Sequence, residues 1–231
     1  MNKKHSISAA ILLLVSFWAS DLLAAQYFPD DLDMPTREKK TFIDYYSNLL
    51  PLMKEPSLWL KTKDQNKISY RFIYLRVKRP REPVVLRLDR ITKTKWVQTV
   101  KVADYSLLHK GVAVNRRRRM AQNNVNQFQE LFTQLQFWDL PSVVGAYHAE
   151  HSLHDGTIWL LEAVENGQYH VIQRVSPTNR RSWVVDPQDQ KMRNEEGYPD
   201  IDQATSEEVN RKLVAVGEYL VKLSGLKVEL R

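Results

Sequence analysis

DGTIWLLEAVENGQYHVIQRVSP, residues 155–177, reads as a tight β-hairpin, and the fold follows from it. Asn166 and Gly167 accept the positive φ angles of a type I′ turn, whose twist matches that of paired strands. A two-residue turn fixes the register. Glu165 faces Gln168, Val164 faces Tyr169, Ala163 faces His170, Glu162 faces Val171 and Trp159 faces Arg174. Opposed residues share a face, so Trp159, His170 and Arg174 are expected on one side and Glu162, Tyr169 and Gln173 on the other. So many polar and aromatic groups on one hairpin make it the first candidate site.

Upstream, three more strands are expected. In Ser69–Val77, Tyr70, Phe72 and Tyr74 alternate with Arg71, Ile73 and Leu75. Val84–Arg90 and Trp96–Val102 show the same period of two, and short polar links join all three into an antiparallel meander. Helices are expected over 37–50, where Phe42, Tyr46, Leu49 and Met53 recur at helical spacing, and over 115–136, where Ala121, Val125, Phe128, Phe132 and Leu135 make one stripe. A third opens at Thr205-Ser206-Glu207-Glu208, read as a capping box, and closes at Gly225. Glu55-Pro56-Ser57-Leu58-Trp59 reads as a turn into a polar linker. The order α-β-β-β-α-β-β-α predicts an α+β fold: an antiparallel sheet of about five strands, with three helices packed mainly on one face.

The first 25 residues read as a bacterial Sec signal peptide: Lys3 and Lys4, an apolar run from Ile7 to Trp18, then Ala24 and Ala25. Residues 26–231 are expected to form a single α+β domain, periplasmic or secreted, with no transmembrane segment after cleavage. No cysteine is present, so no disulfide forms. The chain carries a net charge of +7, and losing Lys3, Lys4 and Asp21 leaves +6. For an exported protein this points to an anionic envelope component or a periplasmic protein as partner, not nucleic acid. The plain alternative is a charge that serves solubility.

Taken together, Glu55-Pro56-Ser57-Leu58, Tyr70-Arg71-Phe72, Phe137-Trp138-Asp139-Leu140-Pro141, and Asp155-Gly156 with Trp159, Glu162, Tyr169-His170, Arg174 and Ser176-Pro177 form a recurring pattern. The chain resembles an uncharacterised family of exported proteobacterial proteins, a domain of unknown function. That resemblance implies an exported domain and transfers no catalytic residue. It departs at Ala163, where such sequences carry glycine, and in the His-rich segment before Asp155.

Three constellations carry chemical interest. In the hairpin, Arg174 opposite Trp159 suggests a cation–π pair, His170 a group titrating near neutrality, and Glu162 a buried acceptor or ion-pair partner for Arg71. With Tyr169 these residues are the candidate binding set; mutual hydrogen bonding that locks the sheet is the structural alternative. Arg116, Arg117, Arg118 and Arg119 read as a basic helix start, although cations there oppose the helix dipole. His148, His151 and His154 lie close together, but their spacing aligns on neither a helix nor a strand, so no metal is expected. No catalytic residue is assigned and no cofactor is expected: the chain has no Gly-x-Ser-x-Gly, no P-loop and no dinucleotide turn. Ser176, His170 and Asp155 make only a nominal triad, since Ser176 precedes a proline with no oxyanion turn. The expected role is a non-enzymatic binding module for an envelope component or partner protein. The alternatives are a hydrolase-like enzyme with a pocket at the 157–175 hairpin, and an inhibitor or immunity protein using the 180–204 loop.

Overall fold

The period-two alternation of the central strands becomes two packed faces of one sheet. A computed structural model describes residues 27–76, 82–104, 111–143, 156–178, 203–228 and 230. Six strands, β1 (Ile68–Arg76), β2 (Val84–Thr92), β3 (Lys95–Ala103), β4 (Val112–Arg119), β5 (Thr157–Glu165) and β6 (Gln168–Val175), pair in the order β4-β3-β2-β1-β5-β6. Every neighbouring pair is antiparallel. Among the described residues the α-helices are α1 (Thr36–Leu52), α2 (Gln122–Leu135) and α3 (Gln203–Ser224). The class is therefore α+β, with one strand more than the five expected.

Tyr70, Phe72, Leu86, Leu88, Val100, Trp159 and Leu161 share one face, beneath Phe128 and Phe132 of α2 and Leu213, Val216 and Leu220 of α3. Ile73, Leu75, Val85, Leu160 and Val171 share the other, beneath Phe42, Tyr46 and Leu49 of α1 and Met53 just after it. Two helices thus lie on one face and α1 on the reverse. The strands supply the reason. Strands apolar on both faces need cover on both sides, and β1 is buried at eight of its nine positions.

The end of α1 places a key residue. Pro51 lies in its last turn, and the chain then turns through Lys54 at φ 53°. Lys54 N donates to Pro51 O at 2.8 Å and Glu55 N to Leu50 O at 2.9 Å, the two bonds of a Schellman motif. That turn sends residues 55–63 back across the sheet. The turn expected at Glu55–Trp59 is a buried strap, with Glu55 2%, Ser57 7% and Leu58 0% exposed, and no residue of the polar linker that follows it, 60–67, is buried.

The helix expected from Asn115 starts at Gln122, and Arg116–Arg119 belong to β4. A run of identical residues carries no period to read. The open side of β3 supplies backbone partners that a cationic helix start lacks. In α3 the helix begins at Gln203, ahead of the expected cap, and Glu208 pairs forward with Lys212 at 2.8 Å. Gly225 does close it, at φ 67°.

Candidate functional site

The hairpin forms in the register its turn dictates. Asn166 and Gly167 have φ of 51° and 77°, and Trp159 pairs with Arg174, Ala163 with His170, Glu162 with Val171 and Val164 with Tyr169. On the α2–α3 face, Trp159 is fully buried edge-on to Phe72 at 5.2 Å, and its Nε1 donates to Thr157 Oγ1 at 3.2 Å. Arg174 does not stack on Trp159. Its guanidinium donates to the carbonyls of Gln173 at 2.7 Å and Pro141 at 3.0 Å. Carbonyls satisfy donors better than a ring face does, so the hydrogen bonds win. Burial pushes the Arg174 guanidinium down from its ordinary value. His170 Nε2 lies 2.7 Å from Leu140 O, and because a carbonyl only accepts, that nitrogen carries the proton. Burial pushes the imidazole below its usual range, the Leu140 bond opposes this and Arg174 adds to it. Together Arg174 and His170 tie residues 140–142 to β6, and Ser142 O also accepts from Gln173 N at 2.7 Å. The segment thereby covers part of the edge strand.

The reverse face holds an ionic network. Arg71 Nε donates to Glu162 Oε2 at 2.8 Å, and Tyr169 Oη donates to Glu162 Oε1 at 3.0 Å. Glu55 on the strap faces three cations: Arg87, Arg71 at 3.6 Å and Lys101 at 2.8 Å. Arg71 is fully buried and directly opposite Arg87 in the ladder, so the two like charges need an anion between them. Asp89 continues the network to Arg87 Nε at 2.8 Å and Lys61 Nζ at 3.1 Å, and accepts from Ser69. Burial pushes the Glu162 carboxyl up, with Arg71 and Tyr169 opposing. Burial likewise pushes Asp89 up, but Arg87, Lys61 and Ser69 more than offset it and hold the carboxyl at about 2. Sequence reasoning anticipated the Arg71–Glu162 pair but missed Glu55, Asp89, Lys61, Arg87 and Lys101. The only signal was charge at Arg87, Asp89 and Lys101 inside strands with buried neighbours.

β4 presents a different surface. Among the described residues it is an edge of the sheet, and Arg116, Arg117, Arg118 and Arg119 are all exposed there. Alternation puts Arg116 and Arg118 on the α3 side, where they donate to Ser224 O at 3.2 Å and Gln98 Oε1 at 3.0 Å. Partial burial and the neighbouring Arg116 push Arg118 down. Arg117 and Arg119 share the network's face. Register aligns Glu162, Arg71, Arg87, Thr99 and Arg117 in one row across five strands. Thr99, 2% exposed, has a hydroxyl with no hydrogen-bond partner among the described residues. None of the four arginines pairs with a carboxylate among those residues.

No protein-family model and no curated protein matches the chain.

Candidates outside the described residues are the 1–25 leader, the His148, His151 and His154 segment with Asp155, and 180–202 of the polar loop. Ser176 of the nominal triad is described, and its Oγ accepts from Thr157 N at 3.1 Å. Among the described residues no group of three His, Cys, Asp or Glu is placed to hold a metal ion, and no helix is long and apolar enough to cross a membrane. A cleft of about 410 Å³ opens beside the end of α2, with Tyr70, Trp138 and Glu165 in its wall. Neither Glu162 nor His170 lines it. The hairpin and network side chains are thus engaged with one another, while the β4 arginines and the cleft face outward.

Proposed function

We propose that this chain is an exported, non-enzymatic binding module for an anionic component of the cell envelope, engaged through the β4 edge. The observation that carries this reading is the row of four exposed arginines without carboxylate partners among the described residues. Cations on both faces of an edge strand attract anionic groups at long range, and guanidinium forks bind phosphate or carboxylate in two-pronged fashion. The rigid sheet holds Arg117 and Arg119 on one face, two residues apart, beside the buried Thr99 hydroxyl. Glu162 and His170 give the hydrolase-like alternative no support, because they are committed to internal partners; of the hairpin residues only Glu165 stands in the wall of the described cleft.

The test is sedimentation of the mature protein with phosphatidylglycerol vesicles and with phosphatidylcholine vesicles at low and high salt. Soluble polyphosphate serves as a lipid-free polyanion. Binding to the anionic probes that salt weakens, and that Arg117→Ser/Arg119→Ser lowers at least tenfold with an unchanged urea midpoint, supports the proposal. Equal binding by variant and parent, or no binding to either anionic probe, overturns it. So does a variant whose only change is self-association, since charged edge strands also guard against edge-to-edge pairing.

A further inference from the structure

We propose that the cleft at the end of α2 binds a neutral saccharide. It is separate from the β4 edge and stands without the preceding proposal. Its volume of about 410 Å³ falls within the roughly 300–1,000 Å³ of small-ligand sites. One wall is aromatic: half-buried Trp138 packs against Phe137 at 5.3 Å, leaving part of an amphipathic ring exposed. The polar lining comprises the carboxylates of Glu165 and Asp139 and the amides of Gln129 and Gln136. Tyr70 Oη donates to Glu165 Oε2 at 3.0 Å and so holds that carboxylate in place while leaving it free to accept more. Acceptors and amide donors beside an aromatic surface are the groups that hydroxyl-bearing rings require.

Charge selects among ligands. No lysine or arginine lines the cleft, so an anion finds no counter-charge there. A cation meets two carboxylates but approaches a mature chain of net charge +6, with Arg90 close enough to act on the Tyr70 hydroxyl. A neutral polyol avoids both penalties.

Gln136 supplies an independent argument. It ends α2 in the left-handed region, at φ 54° and ψ 42°, where glycine is the residue of least strain. Here the strained position carries a side chain that lines the cleft. Strain of this kind concentrates at ligand clamps.

The experiment is a titration of the mature protein with chitotriose, cellotriose and maltotriose. Calorimetry and tryptophan fluorescence are the readouts, and spermidine and inorganic phosphate are the charged comparisons. The expected result is binding of at least one trisaccharide, weakened fivefold or more by Gln136→Gly and by Glu165→Gln. The Gln136→Gly protein should keep or raise its urea midpoint, which separates lost binding from lost folding. Binding should be unchanged in Arg117→Ser/Arg119→Ser, whatever the outcome with anionic probes. No binding of any of the three sugars, binding of spermidine or phosphate only, or sugar binding indifferent to both cleft substitutions overturns the proposal.

Discussion

Glu55 stands 2% exposed between Arg71, Arg87 and Lys101; its removal takes a counter-charge from all three, and while Arg71 keeps Glu162 and Arg87 keeps Asp89, buried Lys101 is left with no carboxylate among the described residues. Breaking a buried pair from one side costs about 3–5 kcal/mol, because the surviving charge is left without solvent or counter-ion. Glu55→Gln is therefore expected to destabilise the fold by that amount in urea denaturation. Adding Lys101→Met should recover part of the loss, as coupled neighbours do. Parent-like stability in Glu55→Gln means that the network does not anchor the strap. Asp89 gives the network its pH dependence. Its folded carboxyl sits at about 2 against an unfolded value of 3.8, so it binds protons less readily when folded. Its stabilisation is full above pH 4 to 5 and disappears as pH falls through 2. The shift corresponds to about 2 kcal/mol between pH 5 and 2, measured as the difference between the parent and Asp89→Asn. Raised carboxyls such as Glu162 act with the opposite sign, and the paired comparison removes their contribution.

At the scale of elements, α3 lies close against the sheet at Gly217. A Cβ there would stand 2.5 Å from Trp159 Cζ3 and 3.0 Å from Phe72 Cζ, and both rings are fully buried. Overpacking a close-packed interior costs about 1–3 kcal/mol. Gly217→Ala should lower stability by that amount and perturb Trp159 emission. An unchanged midpoint shows that α3 shifts at no cost. Elements also differed in how readable they were. The β5–β6 register was legible because two turn residues determine it locally, and the α2 stripe because its period is helical. β4 was not legible. Arg116 to Arg119 offer no alternation, and only pairing to β3 makes them a strand. The strap was missed for a similar reason: Glu55-Pro56-Ser57 looks like any polar turn until the Schellman geometry turns it onto the sheet.

For the whole molecule, the two cores lie on opposite faces of the same strands, so neither face can melt without exposing the other. Unfolding is expected as one transition. The absence of cysteine makes the check direct: a single cysteine at exposed Tyr45 on α1 can carry a dye, while emission from a Trp59→Phe/Trp183→Phe protein reports the α2–α3 face through Trp96, Trp138 and Trp159. Coincident midpoints are the expected result; an earlier dye transition means that α1 and the strap unfold separately. The sequence by itself determined the α+β class, the hairpin register and the helical stripes, because turn chemistry and periodicity act over a few residues; it offered Arg71 only as one possible partner for Glu162, 91 residues away. Only the tertiary structure decided that α1 covers the reverse face, that Glu55 meets three cations from three strands, that the arginine run forms an edge, and that a cleft opens beside Gln136. Those features depend on which distant surfaces bury one another, and no local pattern encodes that choice.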